Sequence, residues 1–303
     1  MLVVMALGGN ALLRRGEPLE AEVQRRNLVH VVAKTLAPIA RKHQVVITHG
    51  NGPQIGLLAL QAAAYSGVKP YPLDVLGAES EGMIGYLIEQ SMINELPGRE
   101  VATLLTQVEV DVTDPAFSHP SKPIGPIYGE SEARRLARQT SWTFVPDSGG
   151  FRRAVPSPKP VRIREINVIR LLVQSGMTVI CAGGGGIPVI AAADGTLRGI
   201  EAVIDKDLSA ALLAEAIGAD ALLLLTDVSA VWSNWPMSKG EAIHRATPDD
   251  LRRLKFDAGS MGPKVEAACR FAERTRRFAG IGAIDQAEAI LNRTAGTIVA
   301  GAI

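Results

Sequence analysis

Lys206 is the only Lys, Arg or His between Arg198 and Lys239. It lies in Val203-Ile204-Asp205-Lys206-Asp207-Leu208, where an apolar segment turns into an Ala/Leu-rich helix. A helix N-terminus carries partial positive charge and free N–H groups, so a cation there makes the site more positive still. That arrangement is poor for stability and well suited to holding an anion. The residues alone leave a second reading open, in which Lys206 pairs near the surface with Asp205 or Asp207 for little energy. Two other lysines are marked by their settings: Lys122 in Ser121-Lys-Pro-Ile-Gly-Pro-Ile-Tyr128, and Lys264 in Gly259-Ser-Met-Gly-Pro-Lys264 as a helix begins. Taken singly, each of these two reads as an exposed loop lysine.

Three glycine-rich turns follow apolar strands: Gly8-Gly9-Asn10, Gly50-Asn51-Gly52 and Gly183–Gly186. In a parallel sheet all strand C-termini open on one edge, so the three turns line one crevice. Glycine lets backbone N–H groups approach an anion closely, and a following helix N-terminus favours negative charge. One such turn is an ordinary strand-to-helix connection; three on one edge point to a phosphate or another anion. Phosphoryl transfer would need cations around the equatorial oxygens, which is chemistry the lysines can supply. Asp207 is placed to hold Lys206 or to help bind a metal, and Asp227, ending an apolar strand, to do the same or to cap the next turn.

Other chemistries are disfavoured. No G-x-x-x-x-G-K-[ST] occurs, the first glycine turn lacks G-x-G-x-x-G, and Gly183–Gly186 runs into Ile187-Pro188. Ser141 and Ser148 sit in no G-x-S-x-G elbow. The five histidines have no metal-ligand spacing. Arg152, Arg153, Lys159, Arg162 and Arg164 read as a solvated basic face. Trp232 and Trp235 near Pro236 read as core or as walls of an adenine pocket.

The chain of 303 residues has 47% hydrophobic and 21% charged residues and a net charge of +1, a globular composition without the basic excess of a nucleic-acid binder. Aromatics at 4% argue against base-stacking platforms. Cys181 and Cys269 lie far apart in apolar settings and read as reduced thiols of a cytoplasmic protein. The apolar start, Met1–Leu7, reads as a first strand and not a signal peptide. No window is apolar enough to span a membrane.

The elements that must position these residues alternate in type. Strands are expected at 2–7, 45–48, 101–110, 178–182, 221–225 and 296–300, with a short one at 201–204. Helices are expected at 20–43 (kinked near Pro38), 54–64, 79–96, 130–139, 165–175, 207–217, 247–254 and 260–274. This rhythm predicts an α/β fold, an open, mostly parallel sheet between helical layers. Residues 113–160, rich in Pro, Ser and Gly, interrupt it and read as a lid or protruding subdomain.

Several segments together resemble the carbamate kinases of the amino acid kinase family. They are Ala6–Leu12, His49–Gly56, Glu81–Tyr86, Ser121–Pro126, Arg152–Pro160, Gly183–Val189, Glu201–Asp207 and Gly259–Lys264, in order along nearly the whole chain. Many relatives carry a phosphate-binding Lys two residues before the first Gly-Gly; here that position is Ala6. The carbamate kinase pattern supplies the charge from the position of Lys206. The resemblance implies a three-layer αβα sandwich with two lobes: about 1–176 for carbamate or carbamoyl phosphate, about 177–303 for ATP or ADP, and the protruding subdomain about 113–160 bringing Lys122 over the carbamate. It implies reversible transfer, carbamoyl phosphate plus ADP giving carbamate plus ATP, with Mg²⁺ held mainly by nucleotide phosphates and no protein metal site. By match, Gly8, Gly9, Asn10, Gly50, Asn51 and Gly52 bind the phosphorylated substrate. Lys206 and Lys264 stabilise the transferring group, and Asp207 orients Lys206. Gly184, Gly185, Thr226, Asp227, Val228 and Met261 meet the nucleotide. A homodimer is the family expectation, with no nucleic-acid or membrane partner. The chain departs from the pattern at Trp232–Lys239 and Ile281–Gln286, which touches nucleotide and dimer details. The alternatives are a family kinase for another small carboxylate or phosphonate, and a nucleotide-binding regulator without catalysis.

Overall fold

The computed structural model describes residues 1–301 apart from 15, 141, 148, 234–239, 258 and 260, and the side chain of Asn10 is also outside the description. The Trp235–Pro236 wall, Ser141 and Ser148 therefore lie outside the described residues.

Apolar runs form an eight-stranded sheet in the order Arg245–Ala246, Thr297–Val299, Phe278–Ala283, Ala221–Thr226, Leu2–Leu7, Gln44–His49, Thr178–Ile180, Val101–Thr103. All pairings in it are parallel except that of Phe278–Ala283 with Thr297–Val299. The strands read as continuous apolar runs because both faces are covered. Side chains alternate between two cores: Val4, Ala6, Val46, Leu222 and Leu224 face one layer, and Val3, Met5, Leu7, Val45, Ile47, Leu223 and Leu225 face the other. The first layer holds the Lys206–Ile217 helix through Ala210, Ala211, Leu213 and Ala214. Small side chains there let the helix lie close to the sheet. Asp205 caps it at one end and Gly218, at φ 70°, closes it in the left-handed conformation at the other. Such caps are each worth about 1 kcal/mol.

Several expectations are corrected. The 101–110 segment is two strands in different sheets, Val101–Thr103 in the large one and Gln107–Val110 in a four-stranded one. Glu201–Ile204 pairs with no strand. The helix expected from residue 79 begins at Leu73, and the helix around Pro38 contains a π turn, Val32–Leu36, in place of a kink at the proline. Thr178–Ile180 lies between Gln44–His49 and Val101–Thr103, on the side of the first glycine turns.

Within residues 113–160, Lys122–Tyr128, Thr143–Asp147 and Gly150–Val155 form a three-stranded antiparallel sheet that carries the Glu130–Thr140 helix. This subdomain rests on the Gly52–Ala64 helix. A Cβ built on Gly56 would lie 1.9 Å from Gly125 Cα, so the two backbones meet where no side chain fits. Ile55, Ile124, Val155 and Val203 bury together at this seam. Arg152 and Arg153 are half-buried on the subdomain and not a solvated face: Arg152 donates to Gly125 O at 2.8 Å, and Arg153 stacks on Trp142 at 4.1 Å. Lys159 and Arg162 are exposed as expected.

Candidate active site

The start of the Lys206 helix gathers all three marked lysines around two aspartates. Asp205 Oδ1 accepts the N–H groups of Asp207 at 2.9 Å and Leu208 at 3.3 Å, and its Oδ2 accepts from Lys122 Nζ at 2.8 Å. Asp207 Oδ1 accepts from Lys206 Nζ at 2.5 Å and its Oδ2 from Lys264 Nζ at 3.0 Å. Lys206 is not a surface ion pair: its side chain is 12% exposed, as is that of Lys264, and Asp207 is 4% exposed. Three cations against two carboxylates leave the cluster net positive, the condition for receiving an anion.

The charges follow from this packing. Burial pulls the Lys206 ammonium below its ordinary value, reinforced by Lys264 and opposed by Asp207. Burial acts on Lys264 in the same direction, but Asp207, Asp205 and Asp227 carry it above its ordinary value. Burial alone would raise Asp205, yet Lys122, Lys206 and Lys264 hold its carboxyl well below the usual range. A buried ion pair is weak evidence for stability, because desolvation offsets attraction. Its presence here marks a site organised for charge.

The glycine turns meet this cluster. A Cβ on Gly50 would lie 3.4 Å from both Gly9 N and Lys206 Cδ, so the lysine stem runs against the bare backbone of the second turn. Gly52 opens a helix of 13 residues, whose N-terminus faces the crevice with Asn51 at the N-cap. Three parts of the expected anion site also have partners within the protein. The Gly8 and Gly50 amides extend the strands, donating to Leu225 O at 2.8 Å and Leu7 O at 3.0 Å. The Asn51 side chain is buried and donates to Ser80 Oγ at 2.8 Å. Gly184 and Gly185 are buried on the side of Asn51 and Ile204, two strands removed from Ala221–Thr226, because their strand pairs with Gln44–His49.

Thr226 and Asp227 line a cavity of about 340 Å³ together with Gly8, Ala11, Arg14 and Ile284. Val228 follows directly, and Met261 begins the helix that carries Lys264. Among the described residues no three His, Cys, Asp or Glu side chains cluster as a metal site. Asp205 and Asp207 already hold lysines, which leaves Asp227 as the carboxylate lining the cavity.

Sequence reasoning missed Asp205, whose signal was an N-cap aspartate in the Asp-Lys-Asp-Leu start. It also missed Arg14, four residues after the first glycine turn, and Glu81, while Ile284 falls in the Ile281–Gln286 segment expected to touch nucleotide details. Glu81 occupies a core phase of the Leu73–Glu95 helix, beside Ile84 and Ile88, where an acid is anomalous. Its carboxylate accepts from Gly183 N at 2.8 Å and Thr106 N at 3.2 Å. Burial pushes it up to about 8 against those bonds, with Glu165 adding slightly. His49, one of the histidines read as ordinary, is fully buried; burial lowers it to about 4, opposed by its bond to Gly50 O and reinforced by Lys206.

Known proteins share this fold. Residues 1–279 match the Amino acid kinase family. The carbamate kinase of Rhizobium meliloti is 54% identical over 302 residues, 99% of this chain and 93% of its own length. Carbamate kinase from Giardia lamblia bound to citric acid superposes with a TM-score of 0.93 at 38% identity, covering 99% of this chain and 98% of its own. The same enzyme bound to AMP-PNP gives 0.90 at 38%, with the same coverage. The chain belongs to the amino acid kinase family, a class of phosphotransferases built on this αβα sheet. Within it, the chain falls among the carbamate kinases.

Glu81 gives the fold a pH signature. Between the unfolded carboxyl range and about pH 8 the folded protein holds a proton that the unfolded chain has released, so stability falls as pH rises. Below 6.5 the lowered His49 and His43 oppose this, since they gain stability with rising pH. From pH 6.5 to 8 Glu81 dominates, and unfolding free energy should drop by about 1 kcal/mol, less than roughly 1.4 kcal/mol per pH unit because Glu81 is half deprotonated at the upper end and the unfolded histidines still hold protons at the lower. Urea titrations at the two pH values measure it; a flat or rising stability would contradict the assignment.

Proposed function

We propose that the chain catalyses reversible phosphoryl transfer, carbamoyl phosphate plus ADP giving carbamate plus ATP. The observation that carries this reading is the Asp207 clamp, which presents two buried ammonium groups beside two glycine turns and an adjoining cavity. The phosphorylated substrate sits against Gly9, the backbone of Asn10 and the N-terminus of the helix at Gly52. ADP occupies the cavity lined by Thr226 and Asp227, with Val228 next in the chain and Met261 at the start of the helix that carries Lys264.

The chemistry then asks little of the protein beyond charge and position. The bond between phosphorus and the carbamate oxygen breaks as one forms to an oxygen of the ADP β-phosphate. Carbamate leaves with the electron pair as an anion, so no proton must move and no general base is required. Lys206 and Lys264 face the equatorial oxygens, where charge spreads in the transition state. Asp207 fixes both by accepting one N–H from each. Lys122 leaves Asp205 to meet the carbamate end as the lid closes. Mg²⁺, held mainly by nucleotide phosphates with Asp227 nearby, would neutralise further charge when bound.

A homodimer fits the outer face of the Leu73–Glu95 helix, where Val75, Met83, Tyr86 and Ile93 are exposed on one side. A second copy covering that face would run in sedimentation at twice 32.1 kDa, and a species of 32.1 kDa at micromolar concentration would exclude it. No helix among the described residues is long and apolar enough to cross a membrane. The free, buried Cys181 and Cys269 fit a cytoplasmic setting.

Supplied with carbamoyl phosphate, ADP and Mg²⁺, the protein should form ATP, read by a coupled hexokinase assay. Binding of ADP without ATP formation would leave only a regulator. Lys206→Ala should lower kcat by about 10²–10³-fold, as loss of one preorganised donor does. A near-normal rate would refute its role.

A further inference from the structure

Glu81 lies outside the transfer site and is used by no step of it, yet it is a buried acid with two backbone partners. Its Oε1 holds Gly183 N and its Oε2 holds Thr106 N. Thr106 Oγ1 in turn accepts from Ala182 N at 2.9 Å and donates to Leu104 O at 2.9 Å. Thr48 Oγ1 donates to Ala182 O at 2.8 Å. Ala182 has φ 52° and ψ 34°, a left-handed backbone that costs energy for a residue with a side chain. A strained residue persists where its surroundings over-determine it, and these bonds do so.

The turn held in this way touches both halves of the transfer site. A Cβ on Gly183 would lie 2.3 Å from His49 Nε2, and one on Gly184 would lie 2.1 Å from Asn51 Nδ2. His49 and Asn51 bracket Gly50. A Cβ on Gly185 would lie 2.4 Å from Ile204 O, immediately before Asp205 and Lys206. Ser209, one turn into the Lys206 helix, donates from Oγ to Gly185 O at 2.7 Å. The same turn therefore seats the Gly50 loop on one side, against the buried side chains of His49 and Asn51, and the Lys206 helix on the other, against the Ile204 backbone and the Ser209 hydroxyl.

We propose that Glu81 and Ser209 are positioning residues that clamp the Gly183–Gly185 turn from its two ends, and that the turn sets the separation between the Gly50 loop and Lys206. This rests on the phosphoryl-transfer reading above. The choice of Glu over Gln at residue 81 follows from its partners. Both are N–H donors, and a carboxyl group offers an oxygen to each. A glutamine would accept from one and turn its own NH₂ against the other, displacing the turn.

Steady-state kinetics of Glu81→Gln, Ser209→Ala and the double variant test this in the full chain, in the direction of ATP formation. Glu81→Gln should lower kcat/KM for carbamoyl phosphate by about 10²-fold, the effect of misplacing reacting groups by about 1 Å. Ser209→Ala should lower it by about fivefold, one hydrogen bond. The KM for ADP should stay within about twofold of the parent, because two strands separate the turn from the Thr226 cavity. The double variant should lose less than the product of the single losses, since both act through one turn. A merely structural role would instead lower the folded fraction and kcat with both KM values unchanged. That result, or parent kcat/KM in both single variants, overturns the proposal. Ser209→Ala removes one hydroxyl and carries the test if Glu81→Gln does not fold. A parent chain that makes no ATP overturns the transfer reading and this proposal with it.

Discussion

Asp207 accepts ammonium groups from two lysines that reach it from different elements, one at its own helix start and one 57 residues later on another helix. Both lysines are buried, and like charges brought together in a low dielectric repel strongly. Without the carboxylate between them, neither would remain charged there at modest cost. The rest of the molecule serves this arrangement. The sheet sets the two helices side by side on one face, the Asp205 cap fixes where the first begins, and Gly50 leaves room for the Lys206 stem.

Ala6 shows why the positive charge enters from Lys206. Its side chain points into the layer that holds the Lys206 helix and is fully buried there with Ala210 and Ala211. Three small residues bring helix and strand together, and the helix start is thereby carried to the strand edge. Asp205 ties the protruding subdomain to the same point, since it caps the helix and receives Lys122 at once. The subdomain that carries Lys122 and the helix N-terminus thus share one carboxylate.

Much of this was legible in the sequence for a physical reason. Apolar runs buried on both faces announce a parallel sheet, and glycine turns after them announce its open edge. Lys206 stood out because buried charge is rare and its neighbours were greasy. What stayed hidden depends on contacts across long separations. Asp205 accepts from three groups, but only the capping bonds from Asp207 and Leu208 are local; Lys122 is 83 residues away. Gly184 and Gly185 read as an anion turn because they follow a strand; that sheet order sets that strand beside Gln44–His49, and the turn against Asn51 and Ile204, is not written locally. The basic stretch at Arg152 and Arg153 read as solvated, since nothing local signals Trp142 and Gly125 as partners.

Asp207 organises two cations at once, and the Asp207→Asn variant tests that role directly. The amide keeps the shape, but it removes the negative charge and sets an NH₂ toward one lysine. With both substrates saturating, kcat for ATP formation should fall by at least about 10²-fold while the KM for ADP hardly moves. A folded Asp207→Asn enzyme with kcat within about threefold of the parent, close to the scatter of an ordinary surface substitution, would contradict it.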